Sequence, residues 1–283
     1  MTVLVTGANG QLGRDVVNLC HGRGIPCIAA DSKMLDITDT IRVNEFIHTH
    51  RTEVIINCAA YNAVDLAEKE WKKAFSVNGL GVKNLVLAAN QCGSVLVHYS
   101  TDYVFDGTNK RPYTIVDTPH PISRYGESKL LGENMVRDLC DHYFLVRTSW
   151  VFGKGTPNFV QKTLDWSINK TELSIVDDQI SSPTYTMDLA KATLDLVSTR
   201  SFGIYHCTNS GICSRFDWAQ YILHKVGWKG VLHRAKSGDF HTTAQRPEYS
   251  ALDNFGIKEV LGYNLPTWQD ATDRFMNEIG VSK

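Results

Sequence analysis

Short apolar, β-branched runs alternate along the chain with longer segments that carry apolar residues at helical spacing. The runs are TVLVTG, PCIAAD, EVIINCAA, SVLVHYS and YFLVRTSW, and amphipathic segments such as QLGRDVVNLCHGRG and TIRVNEFIHTHR separate them. Strands that are apolar on both faces are typical of a parallel sheet covered by helices on both sides. The pattern therefore predicts an α/β fold with a doubly wound parallel sheet over residues 1–150.

The alternation loosens after Trp150. Strand-like LSIVDD and GIYHCT persist, but turn-rich GTPN, SSPT and QRPEYS interrupt the pattern, and LPTWQDATDRFMNEIG predicts a single amphipathic helix. We therefore expect a smaller C-terminal lobe, interleaved with the first domain, over residues 151–184 and 211–283. Strands and helices from 185–210 are expected to join the sheet domain.

The first predicted strand is followed by a glycine-rich segment, VTGANGQLG. It places Gly7, Gly10 and Gly13 at the start of the first predicted helix. Glycines here allow a tight turn and the close approach of a pyrophosphate, whose charge the helix N-terminus stabilises. A strand before the loop and a helix after it are the context of a Rossmann-type dinucleotide-binding domain. A glycine-rich turn without a ligand is the alternative interpretation.

Asp31 ends the second predicted strand, about 20 residues after the glycines, where a carboxylate accepts hydrogen bonds from adenosine ribose hydroxyls. This favours NADH, whereas Lys33 lies close enough to meet the 2′-phosphate of NADPH. The sequence therefore predicts NADPH or NADH without choosing between them. A solubilising charge at the strand end is the alternative interpretation of Asp31.

The segment YGESK places Tyr125 and Lys129 four residues apart, on one face of a helix. An ammonium about 4 Å from a phenol, at an effective dielectric near 20, lowers the pKa of the phenol by up to about 3 units. Thr101 ends the strand SVLVHYST, at the edge where doubly wound sheets bind ligands. The three residues are candidates for proton transfer. A solvated helix face, and a turn cap at Thr101, are the alternatives.

Composition and charge exclude several classes of protein. The 283 residues carry a formal net charge of −1 and a pI near 6.8, so no strong field attracts nucleic acid or an anionic membrane. No apolar run reaches the ~18 residues of a membrane span, and MTVLVTG enters a strand at once, leaving no room for a signal peptide. The seven cysteines form no Cys-x-x-Cys pair. We therefore expect reduced thiols in a cytoplasmic protein.

Seven motifs together resemble one enzyme family. GANGQLG, CAAYNAVDLAEKE, YSTDYVFDG, YGESKLLGE, RTSWVFG, DDQISSPTYT and QRPEYSALD occur in the order expected of dTDP-4-dehydrorhamnose reductases, within the extended short-chain dehydrogenase/reductase superfamily. The resemblance implies transfer of a hydride from NADPH or NADH to the 4-keto group of a sugar nucleotide. The implied conversion is that of dTDP-4-dehydro-L-rhamnose to dTDP-L-rhamnose, for surface polysaccharides.

The resemblance also implies roles for individual residues. Tyr125 matches the proton donor, Lys129 the lysine that binds the nicotinamide ribose, and Thr101 a residue that holds the substrate carbonyl. The implied cofactor contacts are Gly7, Gly10, Gln11, Leu12, Gly13, Asp31, Asp36, Ile37, Ala59, Ala60, Tyr61, Tyr125 and Lys129. The implied substrate contacts are Thr101, Asp102, Tyr103, Trp150 and Arg246.

Several of these residues also have purely structural interpretations. Asp102 is suited to capping the turn after its strand. Trp150 and Tyr103 are suited to core packing, although an indole also stacks on a sugar or base. Arg246 is suited to a surface ion pair, or to binding a diphosphate.

Departures from the family pattern and rival functions are also visible. A 4,6-dehydratase needs a carboxylate pair after the threonine, but Tyr103 follows Asp102. The pocket motifs favour a reductase over a 4-epimerase. The retained threonine, tyrosine and lysine argue against a non-catalytic subunit resembling the regulatory subunit of methionine adenosyltransferase. Some family members form magnesium-linked dimers through acidic side chains, and Met187 stands where one such acid would fall. A thioether is a poor magnesium ligand, so no structural metal is predicted and a homodimer is left open.

Overall fold

A parallel sheet of six strands forms the centre of the protein, as a computed structural model of residues 1–281 describes it. Its strands are β1 (Val3–Thr6), β2 (Cys27–Ala30), β3 (Val54–Asn57), β4 (Val95–Thr101), β5 (Tyr143–Thr148) and β10 (Gly203–His206). Their spatial order is β10-β5-β4-β3-β1-β2, and every neighbouring pair is parallel. Strand order reverses between β1 and β3, the position at which doubly wound sheets bind ligands. The predicted fold class is confirmed.

Helices cover both faces of this sheet. The covering helices are α1 (Gln11–Gly22), α2 (Thr40–His50), α5 (Gly81–Cys92), α6 (Arg124–Leu139) and α8 (Thr186–Thr199). Helices α1 and α8 pack together on one face, and α2, α5 and α6 pack on the other. Strand β1 contributes side chains to the hydrophobic cores on both faces of the sheet. Val3 and Val5 belong to one core, and Leu4 belongs to the other. Both faces are buried, which explains the near-continuous apolar strands.

A smaller lobe is built from short elements. Its strands are β6 (Val151–Phe152), β7 (Glu172–Val176), β8 (Ile180–Ser181), β9 (Thr184–Tyr185), β11 (Cys213–Ser214) and β12 (Val231–Ala235). They pair as β6–β9, β7–β12 and β8–β11. Its helices are α7 (Phe159–Asn169), α9 (Arg215–Lys225) and α11 (Trp268–Glu278). An aromatic core that includes Phe152, Trp218 and Phe275 holds them together.

The sheet and the lobe are interleaved along the chain. Strand β10 and helix α8, from the 185–210 segment, belong to the sheet layers. Helix α10 (Phe255–Leu261) lies within the range expected for the lobe, yet it packs on α8 and β10, and its Ile257 joins the sheet core. The two short helices α3 (Val64–Ala67) and α4 (Trp71–Phe75), with the π-helical turn Ser76–Leu80, connect β3 to α5.

Residues 1–281 contain no membrane-spanning helix, no disulfide and no metal-binding cluster. In this part of the chain no helix combines the length and apolar character needed to cross a bilayer. All seven cysteines are free thiols, and four of them are buried. Within the same residues, no group of three or more histidine, cysteine, aspartate or glutamate side chains is arranged to hold a metal ion.

Candidate active site

The glycine loop between β1 and α1 packs closely against the backbone that follows β3. Gly7 has φ of +62°, a left-handed conformation that favours glycine, and a Cβ there would lie 2.6 Å from the Ala59 backbone nitrogen. A Cβ on Gly13 would collide with the Gly7 carbonyl oxygen. Gly10 is the N-cap of α1 and brings no side-chain cap to the helix N-terminus. The loop therefore leaves N–H groups and the positive end of the helix dipole facing the cavity, which is the arrangement that binds a pyrophosphate.

A cavity of about 690 Å³, the main cavity, begins at this loop. It runs past the carboxyl ends of the central strands to the lobe. The predicted site residues that line it are Gly10, Gln11, Leu12, Gly13, Ala59, Ala60, Thr101, Asp102, Tyr125, Lys129 and Trp150. The glycine loop, the Thr-Tyr-Lys set and Trp150 thus share one continuous space.

Tyr125 and Lys129 occupy the first two turns of α6. Ser123 is the N-cap, and its hydroxyl accepts a hydrogen bond from the Gly126 backbone N–H, which fixes where the helix begins. A Cβ on Gly126 would collide with the Tyr103 carbonyl oxygen, so glycine lets α6 approach the end of β4. The Tyr125 hydroxyl lies 3.5 Å from Oδ1 of Asn62, another residue of the cavity wall.

The acidification of Tyr125 that the helical spacing predicts is not found in this structure. The Lys129 ammonium donates a hydrogen bond to the Tyr99 carbonyl oxygen at 2.6 Å. Burial lowers the pKa of Lys129 to about 8, although the Glu133 carboxylate opposes the change. Burial raises the pKa of the Tyr125 phenol above its ordinary value. Tyr125 is therefore fully protonated near neutral pH, as a proton donor must be.

Thr101 is the last residue of β4, Asp102 follows it, and both are buried. The Thr101 hydroxyl accepts from the Tyr103 backbone N–H at 3.2 Å and donates to Oδ1 of Asp102 at 3.1 Å. Oδ2 of Asp102 accepts from the hydroxyls of Ser250, at 2.5 Å, and Ser181, at 3.3 Å. Burial raises the pKa of Asp102 to about 6, against the effect of these donors. Asp102 thus joins the sheet to two lobe segments and orients the Thr101 hydroxyl.

Trp150 lies between β5 and β6 with φ of +44°, which is rare for a bulky side chain. Its indole faces the Arg215 guanidinium, whose carbon lies 3.6 Å from the ring centroid. Arg215 and Lys162 both line the cavity, and sequence reasoning missed them. A signal for Arg215 exists in SRFD, because Ser214 and Asp217 form a capping box that sets Arg215 as the first residue of α9. No comparable signal marks Lys162.

Asp31 lies in a second cavity of about 530 Å³, beside Asn9 and Arg14. Oδ1 accepts from the backbone N–H groups of Lys33, at 3.0 Å, and Met34, at 2.9 Å, and Oδ2 accepts from Asn9 Nδ2 at 2.9 Å. These donors, led by Met34, lower the pKa of Asp31. The carboxylate is therefore ionised and held beside the glycine loop by Asn9.

Other predicted site residues line neither cavity. This set comprises Gly7, Asp36, Ile37, Tyr61, Tyr103 and Arg246. Asp36 accepts from the Thr38 backbone N–H and hydroxyl, and the Tyr61 hydroxyl donates to Glu70. The Tyr103 ring packs edge-on against Tyr125, with centroids 5.8 Å apart.

Arg246 forms a bidentate ion pair with Asp65, at 2.6 and 3.1 Å. Its Nη1 also donates to the Ala244 carbonyl oxygen at 3.1 Å. The structure thus shows Arg246 in the ion pair that was one of its two interpretations. Its guanidinium fastens the 241–250 segment to α3 instead of lining the main cavity.

Comparison with known proteins places the chain among characterised relatives. The family model described as "RmlD substrate binding domain" matches residues 1–281. The spore coat polysaccharide biosynthesis protein SpsK of Bacillus subtilis is 39% identical over 98% of this chain and 97% of its own. The dTDP-4-dehydrorhamnose reductase of Aggregatibacter actinomycetemcomitans is 38% identical over 95% of this chain and 96% of its own.

Solved structures agree with this result. The crystal structure of dTDP-4-dehydrorhamnose reductase from Bacillus anthracis in complex with NADP superimposes with a TM-score of 0.94 at 38% identity. It covers 98% of this chain and 100% of the other. The family model and the relatives span essentially the whole chain, including every motif of the cavity. The chain therefore belongs to the family of the dTDP-4-dehydrorhamnose reductases, described by the RmlD substrate binding domain.

Proposed function

We propose that the chain is a reductase that transfers a hydride from NADPH or NADH to the 4-keto group of a dTDP-linked 6-deoxy sugar. The proposed conversion is that of dTDP-4-dehydro-L-rhamnose to dTDP-L-rhamnose. The convergence of Thr101, Tyr125 and Lys129 on the cavity that begins at the glycine loop carries this proposal. The names of the relatives support it, and the Bacillus subtilis relative points to polysaccharide synthesis as the use of the product.

The residues of the cavity fit a dinucleotide. A Cβ on Gly7 or Gly13 would fill the space where the loop turns, and the α1 N-terminus offers unpaired N–H groups to a pyrophosphate. Asp31 offers carboxylate oxygens to the adenosine ribose. A bound nicotinamide dinucleotide supplies the hydride that reduces the keto carbon. Lys129 is proposed to bind the nicotinamide ribose, and the free donors of its ammonium support this, because Tyr99 uses one of three.

Tyr125 supplies the proton in the proposed reaction. As the carbonyl carbon gains a hydride, its oxygen becomes an alkoxide, and the phenol gives its proton to that oxygen. One hydride and one proton convert the ketone to a secondary alcohol, and solvent later returns a proton to Tyr125. The raised pKa keeps the phenol protonated until the more basic alkoxide develops.

Thr101 and Lys129 support this transfer. Because the Thr101 hydroxyl donates to Asp102, its oxygen keeps a lone pair for the Tyr125 hydroxyl or for a sugar hydroxyl. A donor role toward the substrate carbonyl requires this hydroxyl to rotate away from Asp102. The Lys129 ammonium stabilises the phenolate that remains after proton transfer.

The test is a reduction assay on the purified chain. Enzymatically prepared dTDP-4-dehydro-L-rhamnose is added with NADPH or, in parallel, with NADH, and nicotinamide absorbance is followed. We expect oxidation of at least one cofactor, and nuclear magnetic resonance of the sugar identifies the C4 configuration. A folded protein that binds NADPH without oxidising it would instead be a non-catalytic binding subunit.

Two further proposals concern the setting of the enzyme. The free thiols favour the reducing cytoplasm, and fractionation of cells tests this. The homodimer that the family resemblance leaves open is tested by light scattering, where a monomer mass would overturn it.

A further inference from the structure

Arg215 is held at the lobe side of the main cavity by regular structure and by stacking. It is the first residue of α9, behind the Ser214–Asp217 capping box. Its guanidinium carbon lies 3.6 Å from the ring centroid of Trp150 and 4.9 Å from that of Phe159. Stacking uses the face of the guanidinium and leaves the N–H donors at its edge free for other partners. The donors of Arg215 are therefore held beside the cavity that this residue lines.

Those donors have no partner within residues 1–281. Other arginines that are buried or half-buried are paired with carboxylates: Arg147 with Glu133 at 2.7 Å, Arg246 with Asp65 at 2.6 Å, and Arg274 with Asp188 at 2.6 Å. The half-buried Arg215 forms neither an ion pair nor a hydrogen bond with a carboxylate of residues 1–281. Removing a cation from water without a partner is unfavourable, so an unpaired guanidinium in a cavity wall marks a place for an anion.

Lys162 provides a second cation on the same wall. It lies on α7, one turn after the N-cap residue Asn158, and its side chain is exposed and lines the cavity. Among residues 1–281 its ammonium has no ion-pair partner. Burial lowers the pKa of Arg215 to about 10, so it stays cationic at neutral pH. The lobe wall thus carries two positive charges with no protein counter-ion in contact.

We propose that Arg215 and Lys162 bind the diphosphate of the sugar nucleotide. This inference rests on the proposed function for the identity of its ligand. A guanidinium binds two phosphate oxygens in parallel, and a nearby ammonium adds a point charge. The dinucleotide has a pyrophosphate of its own, but the glycine loop and the α1 N-terminus serve that group. Arg215 comes from the lobe and stacks on Trp150, on the side of the cavity assigned to the sugar nucleotide.

Binding of dTDP, measured by calorimetry on the full chain, tests the proposal without turnover. Arg215→Gln is expected to weaken dTDP binding about tenfold or more, because it removes a charge-assisted bidentate contact. Arg215→Lys is expected to recover part of the loss. Lys162→Gln, at an exposed position, is expected to weaken dTDP binding by a smaller factor and does not depend on how Arg215 variants fold.

A matched control and two other ligands separate the explanations. Arg137→Gln removes an exposed guanidinium near the end of α6, outside the cavity. We expect this variant to bind dTDP as the wild type does. Arg215→Gln should bind NADP+ normally. It should also lose more affinity for dTDP than for dTMP, which has one phosphate fewer.

Three results would overturn the proposal. They are unchanged dTDP affinity in Arg215→Gln and Lys162→Gln, an equal loss for dTDP and dTMP, or a loss confined to NADP+. The inference and the proposed function fail separately. Arg215-dependent dTDP binding in a protein that never oxidises NADPH would keep the former and reject the latter.

Discussion

The cavity has two halves that are built differently. The sheet half comprises Gly10–Gly13, Thr101, Tyr125 and Lys129, which stand where strands end and helices begin. The lobe half comprises Trp150, Lys162 and Arg215; Trp150 has a left-handed backbone and stacks on Arg215, and Lys162 and Arg215 lie in the first turns of lobe helices. The central sheet fixes the first half, and capped helices with side-chain stacking fix the second. We therefore expect changes in the sheet half to alter turnover, and changes in the lobe half to alter substrate affinity.

The largest effect is expected in the sheet half, from Tyr125→Phe. Removing the phenol hydroxyl should lower kcat by about 10²- to 10⁴-fold, because general acid catalysis typically contributes that much. NADPH affinity should change little, since the ring and its packing on Tyr103 remain. The control is Tyr143→Phe, at the first residue of β5 and outside the cavity. Near-normal turnover in Tyr125→Phe would remove this residue from the mechanism.

The second largest effect is expected at Asp102, whose hydrogen bonds to Ser181 and Ser250 connect the sheet to the lobe. Its pKa in the folded protein is about 6, compared with 3.8 ordinarily, so the folded state holds this proton more tightly than the unfolded state. Stability from this group is therefore lost as pH rises from about 4 to 6. Over that range the unfolding free energy of Asp102→Asn should rise by about 2 kcal/mol relative to wild type. Urea unfolding from pH 4 to 7 measures it, and a constant difference would contradict the assignment.

A smaller effect is expected at the adenosine end, from Asp31→Ser. The variant removes a negative charge near the expected 2′-phosphate of NADPH. The ratio of NADPH to NADH specificity, as kcat/KM, should rise about tenfold, because like charges repel there. Glu53→Ser, an exposed carboxylate outside both cavities, is the matched control. An unchanged ratio of NADPH to NADH specificity would show that Asp31 does not contribute to the choice of cofactor.

The smallest effect is expected in the lobe half, from Ser214→Ala. The Ser214 hydroxyl accepts from the Asp217 backbone N–H at 3.0 Å, and its loss should cost about 1 kcal/mol of stability. Because this cap begins the helix that carries Arg215, KM for the sugar nucleotide should rise while kcat stays near normal. Thermal unfolding and steady-state kinetics measure the two changes. Ser123 caps α6, so Ser123→Ala should instead lower kcat. Equal changes of kcat and KM in the two variants would contradict the proposed difference between the halves.

Sequence reasoning predicted the sheet half well for a physical reason. Apolar strands, a glycine-rich turn, and a tyrosine and a lysine four residues apart on a helix are all local sequence patterns. The order of the parallel strands then brings the ends of these strands and the starts of the helices to one edge of the sheet. The predicted fold and family are confirmed. The roles of the individual site residues stay predictions, although eleven of them line the main cavity.

The lobe half was less predictable because its contacts join distant parts of the chain. Arg215 meets Trp150 across 65 positions, and no periodic pattern signals that contact. Arg246 had two open interpretations, and only the position of Asp65 identifies its ion pair. The pKa of Tyr125 depends on burial, and the spacing to Lys129 carries no information about burial.

The interleaving of sheet and lobe limits how the molecule opens. The chain passes between them repeatedly, after β5, between β9 and α8, after β10 and around α10. A lobe attached by several strands cannot swing about one linker, so access to the cavity depends on local motion of its rim. The same interleaving means that a truncation before α10 removes structure from both halves, because α10 packs on the sheet side and α11 belongs to the lobe.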